Sequence, residues 1–340
     1  MKTIHPSLKT ILLAGAVLSL TAAFACAHGF DWENLESDIN GVAENADANL
    51  LNPWGMAMAP SGNIWVADNH AGVATVYFQD GSPVPNSRHP LVVTIPNGDP
   101  TGVVYNGTAF FKITKGGPPQ PAKFIFVSEA GVISGFNSSV DSTNAIIAKD
   151  NGAAAVYKGV TLGVFNNHNY LYATNFHAGK VETYNENFVL QTTGFPFVDS
   201  TIPADYAPFG IRNFNGLIYV TYAKRNTSNP DDDQAGAGLG FVSVFNTHGQ
   251  FIKRLVSNGN LNAPWGLAWV NGTLWVGNFG DGRINVYNPN NGNFIGTPRD
   301  EGTPLRFDGL WDLLLTNNGL YFAAGIADED HGLFGVIFSD

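Results

Sequence analysis

One short phrase is written six times along this chain, and its recurrence limits the possible folds more than any single residue does. The clearest copy is Pro264-Trp265-Gly266, then an Asn271-Gly272 turn, then Trp275-Val276-Gly277-Asn278, then Val286-Tyr287-Asn288. The copies open at Pro53-Trp54-Gly55, Pro100-Thr101-Gly102, Thr161-Leu162-Gly163, Pro208-Phe209-Gly210, Pro264-Trp265-Gly266 and Leu310-Trp311-Asp312. Counted between third positions, the pitch is 47, 61, 47, 56 and 46 residues. A period of this size made of short strands marks propeller blades, because one such unit cannot bury its own faces and must stack on neighbours. The sequence predicts an all-β chain folded as a six-bladed β-propeller, with blades starting near 53, 100, 161, 208, 264 and 310.

Each copy supplies the same parts. Proline can open a first strand because no ladder donor is needed there, and glycine lets backbones approach closely near a crowded axis. Asn106-Gly107, Asn215-Gly216, Asn271-Gly272 and Asn318-Gly319 are expected to be hairpin turns, since Asn-Gly between apolar runs is the strongest short hairpin signal. Second strands read Trp65-Val66-Ala67, Phe126-Val127-Ser128, Tyr172-Ala173-Thr174, Tyr219-Val220-Thr221, Trp275-Val276-Gly277 and Tyr321-Phe322-Ala323. The sixth unit reaches Asp340 with its third strand. Its fourth is expected from Phe30 to Ile39, an N-terminal strand that completes the last blade and closes the ring. Closure removes the exposed edges that an open ring would offer to aggregation.

Charged residues make up 13% of the 340, about half the usual share, and β-formers, Gly and Asn take their place. Lys2 and Lys9 precede an uncharged run from Thr10 to Ala27 that ends on small residues. This reads as a signal peptide over 1–27, leaving 28–340 as one propeller domain in a secreted or periplasmic compartment. No later segment is apolar enough to span a bilayer as a helix. Cys26, the single cysteine, falls inside that leader; processing as a lipoprotein at Cys26 is the other reading. Removing 1–27 takes two lysines and no acid, leaving 15 basic against 28 acidic residues, a net of −13. Nucleic acid is therefore excluded as a partner class, because its phosphates would be repelled.

The pattern resembles NHL-repeat and related six-bladed propellers. More closely, it resembles an uncharacterised family of secreted bacterial NHL-like propellers. The carriers are Asn52-Pro53-Trp54-Gly55, Trp65-Val66-Ala67-Asp68-Asn69 and Ala263-Pro264-Trp265-Gly266-Leu267-Ala268, and the likeness covers roughly residues 31 to 340. The resemblance implies a fold and an exported location, with no established activity.

Strand starts of the first kind and strand ends of the second lie on one face, so two rings can be collected at the channel mouth. The inner ring is Trp54, Thr101, Leu162, Phe209, Trp265 and Trp311; the next is Asp68, Glu129, Asn175, Tyr222, Asn278 and Ala324. Asn69, His70, Phe176, His177, Phe279 and Asp281 follow just beyond. Aromatics of the inner ring either wedge between blades or offer a stacking platform. The expected ligand-binding set is Trp54, Asp68, Asn69, His70, Glu129, Asn175, His177, Tyr222, Trp265, Asn278 and Trp311. His70 and His177 occupy similar loop contexts and could converge across the mouth, or could each cap a loop carbonyl.

No cofactor is expected, although a divalent cation such as calcium stays open. Sugar lactonases of a related six-bladed fold hold a cation with Glu, Asn and Asp, a set that Asp68, Glu129, Asn175 and Asn278 echo by type. Two insertions stand out: Lys115 to Pro121, on the face away from the mouth, and Asn226 to Gly238 with Asp231-Asp232-Asp233, on the mouth side. The second is either a solvated loop or a lid over the mouth. No Gly-x-Ser-x-Gly, phosphate-binding loop or His-Glu-x-x-His occurs. The expected function is an extracytoplasmic module that binds a small molecule, glycan or peptide at the mouth, as a monomer. The alternative is a metal-dependent hydrolase or lyase at the same place.

Overall fold

Short β-rich runs separated by tight turns form strands, and a computed structural model shows how they assemble over the described residues, 29–339. The leader predicted over 1–27 lies outside those residues. Blade one holds Pro53–Met58, Ile64–Asp68, Val73–Tyr77 and Val92–Thr94; blade two holds Pro100–Tyr105, Phe124–Ser128, Val132–Phe136 and Ile146–Asp150. Blade three has three strands, Tyr157–Phe165, His168–Asn175 and Lys180–Tyr184. Blade four follows with Tyr206–Phe214, Leu217–Lys224, Phe241–Asn246 and Phe251–Ser257. Blade five comprises Pro264–Val270, Thr273–Asn278, Ile284–Tyr287 and Phe294–Gly296.

Blade six is Leu310–Leu315, Leu320–Ile326 and His331–Ser339, completed by the N-terminal strand Phe30–Ser37. That strand runs antiparallel to the last one, from Phe30 opposite Ser339 to Ser37 opposite Leu333. The predicted closure is therefore present. Leu35 is buried at the seam with blade one, Trp32 is partly exposed, and Ile39 falls beyond the strand. The joint is fastened by Ser37 Oγ donating to the Gly332 carbonyl at 2.7 Å, and by Gly332 N donating to Asp38 at 2.8 Å.

Six apolar clusters fill the six gaps between neighbouring blades. Trp65 stacks on Phe124 between blades one and two, with ring centroids 4.1 Å apart. Leu35, Ile64, Val66, Tyr77, Tyr321 and Phe334 close the gap between blades six and one. A seventh cluster lies on the axis itself.

The third-position glycines explain how the innermost strands meet. A Cβ on Gly55 would lie 2.7 Å from the Thr101 carbonyl oxygen, and one on Gly102 would lie 2.9 Å from Val160 N. Gly159 faces the Phe209 carbonyl in the same way, Gly210 that of Trp265, and Gly266 that of Trp311. The third blade therefore opens at Tyr157-Lys158-Gly159. The expected opening at Thr161-Leu162-Gly163 is four residues late: Gly163 packs on Tyr172 away from the axis. Corrected, the pitch becomes 47, 57, 51, 56 and 46 residues, and the inner ring gains Lys158 in place of Leu162.

Candidate functional site at the channel mouth

Pairing registers place every residue of the expected second ring. Pro53 lies opposite Asp68, Pro100 opposite Ser128, Tyr157 opposite Asn175, Pro208 opposite Tyr222, Pro264 opposite Asn278 and Leu310 opposite Ala324. Glu129 is thus one residue beyond the register of Asp68, and in a strand a one-residue step reverses the face. The residues that share the register of Asp68 point into the gap with the preceding blade. Ile64 and Val66, two and four residues before Asp68, lie in the gap between blades six and one. Leu171 and Ala173 set the same parity for Asn175, and Leu274 and Val276 for Asn278.

Their bonds agree. Asp68 is fully buried and accepts from Thr75 N at 2.9 Å. Asn175 donates to the Ala154 carbonyl and to Glu182, and Asn278 donates to the Asn260 carbonyl. Tyr222 is 6% exposed within the packing of blades three and four. Asp68, Asn175, Tyr222 and Asn278 are therefore interblade residues, not mouth residues. Glu129 is not gathered with them, so the four-residue cation set is not assembled. Among the described residues, no three acidic, histidine or cysteine side chains stand at metal-binding spacing.

The residues one position further form the ring that faces the channel: Asn69, Glu129, Phe176, Ala223, Phe279 and Gly325. With the inner ring they divide the mouth into an apolar and a polar part. Trp54 and Trp311 stack face to face with centroids 3.4 Å apart, and Phe279 continues the stack at 4.0 Å from Trp311. Trp265 meets Trp54 and Trp311 edge-on at 6.2 and 6.1 Å, and Phe209 meets Trp311 at 5.8 Å. Trp54, Trp265 and Trp311 are each at most 6% exposed. The rings spend their faces on one another across the axis, so they form a plug and not an open stacking platform. Below the plug, Arg212 of blade four reaches Asp312 of blade six at 2.7 Å, and Asp312 also accepts from Met56 N of blade one at 2.8 Å.

Above the plug stands Lys158, in the place where four other blades carry an aromatic ring. Its side chain is 2% exposed. Its ammonium donates to Glu129 at 2.5 Å, lies 3.7 Å from Asp232, and sits 5.1 Å from the centroid of the Trp54 ring. Burial alone would lower the pKa of this lysine; Glu129, Asp232 and Asp233 outweigh it and hold the ammonium above its ordinary value. Asn69 donates to the other Glu129 oxygen at 3.0 Å. Asn52 donates to Glu329 at 2.7 Å and accepts from the Trp311 indole at 2.9 Å, which ties the plug to the polar rim.

Two loops bring the remaining carboxylates. The acidic insertion of blade four folds back through a bridge between Arg225 and Asp233, which buries Asp233. One Asp233 oxygen has no hydrogen-bond partner. Burial, then Asp232, push this carboxyl up to about 7 against the pull of Lys158, with Glu329 adding to the rise. Glu329 sits in a turn where Ala327, Asp328 and Glu329 all take positive φ, at 55°, 55° and 69°. Three consecutive non-glycine residues in that region store strain of the kind found where a side chain must be aimed. The carboxyl of Glu329 is likewise raised, by burial first and then by Asp232 and Glu129.

The histidines do not converge. His177 meets Asp231 at 2.6 Å, while His70 stands exposed near Asp99 at the head of blade two. Sequence reasoning missed Lys158, Asn52 and Glu329. A glycine spacing held near 50 residues would have picked out Tyr157-Lys158-Gly159; nothing in the sequence marks Glu329, whose aim depends on an uncommon turn.

This ring of blades and its mouth define an NHL-type six-bladed propeller, and the NHL repeat family matches residues 50–72. "Uncharacterized protein R648" of Acanthamoeba polyphaga mimivirus is 31% identical over 324 residues, spanning 90% of this chain and 79% of that protein. "Uncharacterized protein L690" of the same virus is 31% identical over 331 residues, spanning 90% and 85%. The chain belongs to the family of these mimivirus proteins. Among solved structures, a streptogramin B lyase superimposes with a TM-score of 0.50 at 13% identity, over 92% of this chain and 98% of the lyase. That likeness is one of fold.

Proposed function

We propose that this protein is an extracytoplasmic binding propeller that takes a small molecule, a glycan or a peptide segment on the polar half of its mouth. The carrying observation is the buried Lys158, paired with Glu129 and ringed by Asp232, Asp233 and Glu329 from two separate loops. Polar side chains brought from several blades onto one rigid floor are the usual makings of a binding site. The aromatic plug supports the same reading, since a ligand above it must rest on the rim and cannot thread the channel.

The test is a thermal-shift and calorimetric screen against amines, sugars and short peptides, repeated on Lys158→Met and Glu129→Gln. Binding lost in both variants, with their circular dichroism unchanged, is the expected outcome. Ligands that bind both variants as tightly as the parent would overturn it. Export is tested separately, by N-terminal sequencing of the protein recovered outside the cytoplasm, with a start at residue 28 expected.

One observation favours a second reading as a hydrolase or lyase. A buried carboxyl raised to about 7 beside an ammonium, as Asp233 is beside Lys158, suits general acid–base work. Turnover of lactones or esters lost on Asp233→Asn would support that reading; no turnover across such a panel would remove it.

A further inference from the structure

We propose that the ligand of this mouth carries an organic cation, a primary ammonium or a guanidinium, which seats against Asp233 and Glu329. The inference rests on the binding reading above and adds the chemical class.

Four carboxylates lie around Lys158: Glu129, Asp232, Asp233 and Glu329. Lys158 is the cation that faces them, and it is already engaged by Glu129 at 2.5 Å and Asp232 at 3.7 Å. Arg225, the next cation, turns its guanidinium to the carbonyls of Phe176 and His177. Asp231 is held by His177, and Asp99 stands further out, beside His70 and Glu129. Asp233 and Glu329 are thus left without a cation of their own among the described residues. Asp233 is 9% exposed and keeps one buried oxygen unpartnered. A buried acceptor of that kind is costly unless something donates to it.

A metal ion fits poorly, because no three ligating side chains stand at the spacing it needs among the described residues. An ammonium or guanidinium needs less: two acceptors on one side and tolerance of a wet other side. Seating such a cation would displace the proton that Asp233 holds below about pH 7. Affinity should therefore rise with pH up to about 7 and level off above it, with a proton released on binding.

The experiment uses matched pairs that differ in charge and little in shape, with a cation that keeps its charge over the pH range tested: glucamine against glucitol, and N-acetylargininamide against N-acetylcitrullinamide. Binding is measured by calorimetry at about pH 5.5, 6.5 and 7.5 in two buffers of different ionisation enthalpy. The charged member of at least one pair should bind about tenfold or more tightly than its neutral twin. That preference should vanish in both Asp233→Asn and Glu329→Gln, and fewer protons should be released at the highest of these pH values than at the lowest. If neutral members bind as well as charged ones, and still lose binding in Lys158→Met, the cation is wrong and the mouth stands. If no member of either pair binds, the cation proposal fails. If charged members bind the Asp233→Asn and Glu329→Gln variants unchanged, the site lies elsewhere and both readings fail.

Discussion

Replacing Glu36 by glutamine should flatten the pH dependence of this ring's stability. Glu36 lies in the closing strand, fully buried, with neither carboxylate oxygen hydrogen-bonded. Burial, then the neighbouring Asp47, raise its pKa from 4.5 to about 8. A folded pKa above the unfolded one favours the folded state in its protonated form. The contribution is complete below pH 4.5 and is lost as the pH rises through about 8. Each unit of pH in that window costs about 1.4 kcal/mol. Integrated between these two values, the loss is about 1 kcal/mol at pH 5, about 3 at pH 7 and about 4 to 5 at pH 9. A glutamine side chain at this position would carry no such charge, though its amide protons still want acceptors. The offset between parent and variant at any one pH is therefore less telling than its growth. From pH 5 to pH 9 the variant should gain about 4 kcal/mol on the parent, or about 6 °C in Tm for a chain of this size. Urea denaturation or scanning calorimetry across the same pH range reads it directly. Asp68, raised in the same direction on the other side of the seam, leaves a residual slope in both proteins. Parallel stability curves for parent and variant would refute the reasoning, because they would mean that Glu36 is solvated and ordinary.

Three further outcomes follow from the packing. Trp311→Ala removes a ring that stacks on both Trp54 and Phe279 and should cost about 3 to 5 kcal/mol by equilibrium denaturation, as buried Trp truncations do. Arg212→Met leaves Asp312 buried on the axis without its cation and should cost about 3 to 5 kcal/mol near pH 7, less at acidic pH where the carboxyl can take a proton. Deleting residues 29–37 uncovers the long edge of His331–Ser339; light scattering should show association at concentrations where the parent stays monodisperse.

The ring is legible because its grammar is local. Pro-aromatic-Gly openings, Asn-Gly turns and aromatic second strands each follow from backbone needs that a sequence displays, and the closing strand follows from counting what the sixth blade lacks. Blade three is harder to place because Tyr157-Lys158-Gly159 lacks both the opening proline and the aromatic second residue, whereas each other blade keeps at least one of them. The site is less legible because it depends on parity. Asp68 and Asn69 are neighbours in the chain, yet one is sealed between blades and the other bonds Glu129 at the mouth. Alignment by residue type groups Asp68 with Glu129, whereas pairing register separates them by one step and so by a face.

That separation also explains why a lysine is tolerated on the axis at all. Blades one, five and six fill their inner positions with Trp54, Trp265 and Trp311, and Phe279 joins their stack. A further large ring at position 158 would have to share the space that Lys158 Nζ occupies, 5.1 Å from the Trp54 ring and 5.8 Å from that of Phe176. A slender side chain with a cationic tip fits against those two faces and needs an anion, which Glu129 supplies from the adjacent blade. Once one carboxylate is fixed there, Asp233 and Glu329 gain no ion pair of their own by crowding the same charge, and Glu329 keeps only the bond from Asn52. Each is raised by burial and by like neighbours, and a single Lys158 does not neutralise the group. Carboxylates held together at a cost to the fold, one of them by three residues of left-handed backbone, are best explained by something that arrives from outside to face them.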